Sequence, residues 1–150
     1  MTPDPGGVDG ARIALAVALT AGLGVAAAEG FLRFYPRAHD VGPTAGALGD
    51  AFAWILGACL GLLAGSCLAS LLVRRGSHFF AGVFAGVAGF WIGVAPYVLL
   101  TAPSDVSVSD ALGFVLIVFV PGLLFVMAGA ALGTGVDHVL HRVGPADPAH

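Results

Sequence analysis

The sequence predicts an all-α integral membrane protein, a bundle of four transmembrane helices. The chain of 150 residues is 58% hydrophobic and only 10% charged, whereas a typical soluble domain carries about 25% charged residues. Its apolar residues also lie in long blocks, and three segments contain no charged residue: 51–73, 79–104 and 111–136. Each segment is longer than the roughly 20 residues that a helix needs to cross a bilayer.

The same segments indicate helices rather than strands. Only α-helices and closed β-barrels satisfy their backbone hydrogen bonds within lipid. Barrel strands alternate apolar and polar residues, and these segments do not alternate. We therefore predict spans at about residues 50–73, 79–101 and 110–135.

A first span is predicted at about residues 12–34, although charged residues interrupt its apolar run. An alternative is a signal peptide, because residues 26–28 read Ala-Ala-Ala and match the small-residue pattern of a cleavage site. Asp4 and Asp9 precede the apolar run, where a signal peptide requires positive charge. The sequence thus favours a retained helix, and cleavage remains the open alternative.

The predicted transmembrane domain covers residues 11–136, between a disordered N-terminus at residues 1–10 and a polar tail at residues 137–150. Proline and glycine mark the connection at residues 35–49, and charged or polar residues mark those at 74–77 and 102–109. Arginine near the spans tends to lie in the cytoplasm. Four arginines lie on the side of both termini, and two lie on the other side: Arg12, Arg74, Arg75 and Arg142 against Arg33 and Arg37. This distribution predicts a cell-membrane protein with cytoplasmic termini.

Glycines recur along one face of three predicted spans. Small residues at four-residue spacing let helix backbones approach closely in lipid. These glycine faces predict either a tight bundle or association with a second copy or a partner membrane subunit. Their residues are Gly57, Gly61 and Gly65 in the second span, Gly82, Gly86, Gly89 and Gly93 in the third, and Gly129 and Gly133 in the fourth.

Aromatic residues and one proline add detail to the spans. Trp54 and Tyr97 lie near helix ends and suit the aromatic belt at a membrane interface. Trp91 lies near the middle of the third span, where packing or lipid contact is expected. Pro121 removes a backbone hydrogen bond in the fourth span and predicts a kink there.

Glu29 is the only glutamate and the only acidic residue embedded within a predicted span rather than at its first position. Ionisable groups in membranes are costly and are functional candidates by default, so Glu29 could carry a proton or bind a cation. Arg33 follows four residues later on the same helix face, and an ion pair with it would neutralise the charge near the interface.

The residues that could bind a metal or take part in catalysis show weaker patterns. Asp137, His138 and His141 follow the fourth span, with His78 on the same predicted side. Imidazole and carboxylate groups can bind transition metals, but a polar rim beside the membrane is the favoured interpretation, so we expect no metal and no cofactor. The chain has no G-x-S-x-G, P-loop or H-E-x-x-H motif, which argues against an enzyme. A net charge of −3 gives no reason to expect a nucleic-acid partner.

Three functions are considered from these features, of which a membrane enzyme or metal-binding protein built on His138 and His141 is the least favoured. The preferred hypothesis is a non-enzymatic accessory or structural module that associates through its glycine faces. The alternative is a small oligomeric transporter or channel that uses Glu29. The surroundings of Glu29 discriminate between them: an ion pair with Arg33 at the membrane edge favours the module, and a polar cavity in front of Glu29, away from Arg33, favours the transporter.

Overall fold

The protein is an all-α multi-pass membrane protein with four membrane-spanning helices. The computed structural model describes residues 5–34, 43–73 and 78–143. It contains α1 (Pro5–Phe34), α2 (Pro43–Leu72), α3 (His78–Gly89), α4 (Ala95–Thr101) and α5 (Val108–Val143), with a π-helical turn at Phe90–Val94 between α3 and α4. The parts long and apolar enough to span a membrane are Gly10–Phe34, Leu48–Leu72, His78–Thr101 and Val108–His141. The predicted fold class and the four spans are thus confirmed.

The helices extend beyond the predicted spans. α1 and α2 begin at Pro5 and Pro43, in segments expected to be a disordered terminus and a loop. Proline is tolerated in the first turn of a helix because its missing N–H would have no partner there. α5 continues to Val143, through residues expected in the polar tail. The turn at 74–77, most of the 35–49 connection and the end of the tail lie outside the described residues, as do Arg37, Arg74 and Arg75.

Consecutive spans run in opposite directions. A Cβ atom built on Gly57 would contact Ala28, and one on Gly65 would contact Thr20, so α1 and α2 are antiparallel. Gly82 lies against Ser70 and Ala130, and Gly86 lies against Ser66 and Val126, so α3 is antiparallel to both α2 and α5. Phe34, Leu48, Thr101 and Val108 therefore lie at one end of the bundle, which we call the Glu29 end. Gly10, Leu72, His78 and His141 lie at the other, which we call the His78 end.

Small residues fill most of the bundle interior, and large apolar residues cover its outside. Many of the fully buried side chains are alanines, and Phe90 is the largest side chain among the fully buried ones. Leu100, Phe80 and Leu124 are 85%, 71% and 66% exposed. An apolar exterior of this kind suits lipid contact, and small interior residues let the helices pack closely without a hydrophobic driving force.

The buried hydroxyl groups lie among these small residues. Thr20 donates a hydrogen bond to the carbonyl of Ala16, and Ser70 donates one to that of Ser66. Both bonds join a side chain to its own helix one turn earlier, as is common for serine and threonine in helices. Thr20 and Ser70 are thereby satisfied within their helices, whereas the buried Ser66 hydroxyl has no hydrogen-bond partner among the described residues.

Candidate functional site

Glu29 contacts two aromatic side chains from other spans. It is partly buried on α1, five residues before Phe34, so it lies about 7 Å along the helix axis from the end of the span. The Tyr97 hydroxyl donates a hydrogen bond to Glu29 Oε1 at 2.7 Å, and Trp54 Nε1 donates to the same oxygen at 3.4 Å. Glu29, Trp54 and Tyr97 form what we call the Glu29 centre.

The two hydrogen bonds differ in strength. A distance of 2.7 Å is close to that of charge-assisted O–H···O bonds, at about 2.5–2.7 Å. The Trp54 distance of 3.4 Å is longer than the usual N–H···O range of about 2.7–3.2 Å. Tyr97 therefore provides the principal bond to the carboxylate, and the Trp54 indole provides a weaker one.

Close packing of α1 against α2 brings Trp54 to Glu29. A Cβ atom built on Gly57 would lie 2.6 Å from the carbonyl oxygen of Ala27 and 2.8 Å from Ala28 Cα. These are backbone atoms one turn or less from Glu29, so the two helices touch beside the centre. Trp54 lies one turn before Gly57 and is buried at this interface.

The π-helical turn precedes Tyr97 in the third span. The Ala95 N–H donates to the carbonyl of Phe90, five residues earlier, and Pro96 has no N–H to continue an α-helical pattern. Such turns change the register of the residues that follow and are frequent at functional sites. The Tyr97 ring then stacks on Trp54, with centroids 6.2 Å apart and planes 8° from parallel.

The sequence pattern predicts only an interfacial belt for Trp54 and Tyr97, and their contact with Glu29 is found in the structure alone. A proline one residue before the only tyrosine of the third span was the signal that could have indicated an irregular turn there.

Arg33 does not pair with Glu29. Arg33 is exposed, and the ion pairs found among residues 5–34, 43–73 and 78–143 involve Asp137 only. Glu29 thus takes its hydrogen bonds from uncharged groups of α2 and α4 rather than from the arginine one turn later on its own helix.

A cavity of about 540 Å³ lies beside the centre at the Glu29 end. Trp54 belongs to both, and Leu32, Val98 and Phe114 add apolar walls. The charged residues among its described lining are two acids, Asp50 and Asp110. Asp110 also accepts a hydrogen bond from the Ser107 hydroxyl at 2.6 Å, and its N–H donates to Ser107 Oγ at 3.2 Å, in the manner of a capping box at the start of α5.

The glycine faces lie against neighbouring helices of the same chain. In α2, Cβ atoms built on Gly57, Gly61 and Gly65 would all approach backbone atoms of α1. In the third span, Gly82 and Gly86 lie against α2 and α5, while Gly89 and Gly93 lie against Thr20 and Ala21 of α1. In α5, Gly129 and Gly133 lie against the carbonyls of Leu63 and Cys67 in α2.

At the His78 end, Asp137 lies between two histidines. His78 Nε2 is 3.8 Å and His141 Nε2 is 3.6 Å from the Asp137 carboxylate oxygens. His78 Nδ1 lies 3.1 Å from the Ser70 carbonyl, which can only accept, so this nitrogen carries the hydrogen. His138 is exposed, and no group of three or more potential metal ligands occurs in the described part of the chain.

Comparison with known proteins gives no relative: the sequence matches no family model, no curated protein and no solved structure.

Proposed function

We propose that this membrane protein is a small transporter that takes up a proton or a cation at Glu29. The observation that carries the proposal is the set of partners around this carboxylate: two uncharged aromatic donors from two other spans, and not the neighbouring arginine. The proposal therefore favours the transporter, which was the alternative hypothesis from the sequence, over the accessory module.

Glu29 accepts hydrogen bonds from neutral groups and has no ion-pair partner within 4 Å among the described residues. A charged side chain within a membrane is costly, and such groups usually pair with an opposite charge or serve in an ion or proton pathway. Tyr97 and Trp54 supply donors but no positive charge. A proton or a cation binding at the carboxylate supplies the missing charge.

The Glu29 carboxylate also has a second oxygen, Oε2, that can bind the proton or the cation. Both donors act on Oε1, and no other hydrogen bond to this carboxylate occurs among the described residues. Oε2 can therefore take up a proton or contact a cation while Oε1 keeps its bond from Tyr97. A centre that holds one oxygen fixed and exchanges ligands at the other suits repeated uptake and release.

Transport requires either a second copy or a rearrangement of the spans. Below the Glu29 centre the interior is filled, because Leu62, Phe90, Val94 and Val118 are each at most 1% exposed. Four helices packed in this way leave a thin pathway, which supports the expectation of an oligomer. With cytoplasmic termini, as the arginine distribution predicts, the Glu29 end faces away from the cytoplasm.

The accessory or structural module is the second candidate function. Its glycine faces are occupied by contacts within the chain, so a partner membrane subunit would bind another surface. The exposed apolar side of α5, which includes Leu116, Ile117 and Leu124, is the surface that favours this candidate.

Ion flux into liposomes tests the transporter proposal. Purified protein is reconstituted, a membrane potential is imposed, and proton and alkali-cation uptake are followed with enclosed dyes. We expect protein-dependent flux that Glu29→Gln reduces to the level of protein-free liposomes and that Glu29→Asp partly retains. Asp105→Asn is the matched control, because it removes an exposed acid at the same end and should leave the flux unchanged.

Three results would contradict the proposal. The first is wild-type flux no higher than that of protein-free liposomes. The second is a Glu29→Gln variant as active as the wild type. The third is full activity in the double variant Glu29→Gln with Arg33→Gln, which would mean that the two charges serve only each other.

A further inference from the structure

The cavity at the Glu29 end has the size of a small-molecule site. Its volume of about 540 Å³ lies within the range of about 300–1,000 Å³ that is usual for pockets that bind drug-sized ligands. Its walls come from all four spans, including Leu32 of α1, Trp54 of α2, Val98 of α4 and Phe114 of α5. A ligand here would therefore contact all four spans, the third of them through α4.

The walls of the cavity are apolar and partly aromatic. The rings of Trp54 and Phe114 lie 6.1 Å apart and are tilted by 47°, and Val98 and Leu32 complete the apolar surface. The largest part of a ligand must accordingly be hydrophobic, since buried polar groups would find few partners on these walls.

The charge of the cavity selects for a cation. Its charged residues in the described lining are Asp50, which is partly buried, and Asp110, which is exposed. Asp110 is already engaged by the Ser107 hydroxyl and its own backbone forms part of the helix cap. Asp50 has no hydrogen bond or ion pair from its side chain to another described residue, and it is the partly buried carboxylate that we assign to a positively charged ligand.

The Trp54 indole strengthens the preference of the cavity for a cation. Aromatic faces attract cations, and tryptophan does so most strongly. The Trp54 N–H points to the Glu29 carboxylate, and a donor bonded to an anion becomes more electron-rich by polarisation. The same side chain therefore links a cation in the cavity to the charge of Glu29.

We propose that this cavity binds a hydrophobic organic cation, such as an aromatic ammonium compound, with its charge near Asp50 and Trp54 and its apolar part against Val98 and Phe114. The inference rests on the proposed function, because it names the substrate class that is exchanged with the ion at Glu29.

Tryptophan fluorescence tests this binding directly. The chain has two tryptophans, and Trp91 is 46% exposed on the outside of the third span. Trp91→Phe therefore leaves Trp54 as the sole reporter. The detergent-solubilised variant is titrated with benzyltrimethylammonium and, separately, with neopentylbenzene, a neutral molecule of the same shape.

We expect saturable quenching by the cation and at least about tenfold weaker binding of the neutral molecule, in line with a desolvated cation–π contact. In the same background, Asp50→Asn should weaken cation binding about fivefold to tenfold, and Asp105→Asn should change it by less than about twofold, as for a screened surface charge. Equal binding of the two probes, no saturable quenching, or an unchanged affinity in Asp50→Asn would overturn the inference.

The two proposals fail in different ways. If the probe does not bind but ion flux still requires Glu29, the substrate class is wrong and the proposed function stands. If the probe binds as expected but flux does not depend on Glu29, the cavity is a binding site and the transporter proposal is wrong.

Discussion

Replacement of Gly61 by alanine tests whether the close contact of α1 and α2 is made within one chain. A Cβ atom at this position would overlap the carbonyl oxygen of Leu23 and would lie 2.7 Å from both Leu23 C and Gly24 Cα. Carbon atoms pack best at about 3.5–4.0 Å, so the two helices must separate by roughly 1 Å. All three atoms belong to the α1 backbone, and no side-chain rotation can relieve the overlap.

The expected loss of stability follows from two opposing contributions. Overpacking usually costs about 1–3 kcal/mol, and the upper part of this range applies because only backbone atoms are involved. Alanine in a helix interior gains about 0.5–1 kcal/mol over glycine. We therefore expect Gly61→Ala to lower the free energy of unfolding by about 2 kcal/mol.

Gly22→Ala is the matched control for this substitution. Gly22 lies in α1, and a Cβ atom there would meet nothing within 4 Å, so only the gain of about 0.5–1 kcal/mol remains. The free energy of unfolding is measured in mixed micelles by titration with a denaturing detergent, and the oligomeric state is measured by light scattering. Equal stability of the two variants would refute the reasoning, as would a change of oligomeric state in Gly61→Ala without a loss of stability.

Two further predictions concern the third span and the His78 end. Pro96→Ala restores an N–H and lets the π-helical turn relax, which rotates Tyr97 by about 100° relative to α3. We expect lower Glu29-dependent flux at an unchanged or higher melting temperature. Full flux in this variant would contradict the role of the turn in placing Tyr97. Asp137→Asn removes two contacts of 3.6 and 3.8 Å with His141 and His78. Because partly exposed pairs of this kind contribute at most about 1 kcal/mol, we expect a small loss in the same unfolding measurement, and a loss several times larger would contradict this assignment.

The four spans could be predicted because lipid imposes a simple rule on the sequence. A segment without charge and of sufficient length must cross as a helix, whatever its neighbours are. The helix ends were less predictable, since proline at a first helical position and glycine in a connection look like loop signals. Pro43 begins α2 several residues before the predicted span for this reason.

The surroundings of Glu29 were not predictable, because they depend on contacts between distant parts of the chain. Within the sequence, Arg33 is the nearest opposite charge and lies at the correct spacing for a pair. Trp54 and Tyr97 are 25 and 68 residues away from Glu29. Only the rotation of three helices about their axes decides which of these groups meets the carboxylate, and that rotation is set by packing.

The helices that the glycine faces contact were likewise not predictable from the sequence. The four glycines of the third span share one face by their spacing, yet Gly82 and Gly86 contact α2 and α5, while Gly89 and Gly93 contact α1. A helix that crosses its neighbours at an angle presents one face to different partners along its length. Spacing therefore predicts close contact but not the helix that makes it.

The distribution of side-chain size along the bundle connects packing to the proposed function. Towards the His78 end, Gly65, Gly82 and Gly133 bring backbones into contact with neighbouring helices, and such contacts allow little movement. At the Glu29 end, Trp54, Tyr97 and Phe114 lie between the helices, and the cavity is found beside them. Large planar side chains keep backbones further apart than glycine does and can change their contacts by rotation. Glu29 is thus located at the end of the bundle where a cavity can accommodate a ligand, while Gly57 keeps the backbones of α1 and α2 in contact beside it.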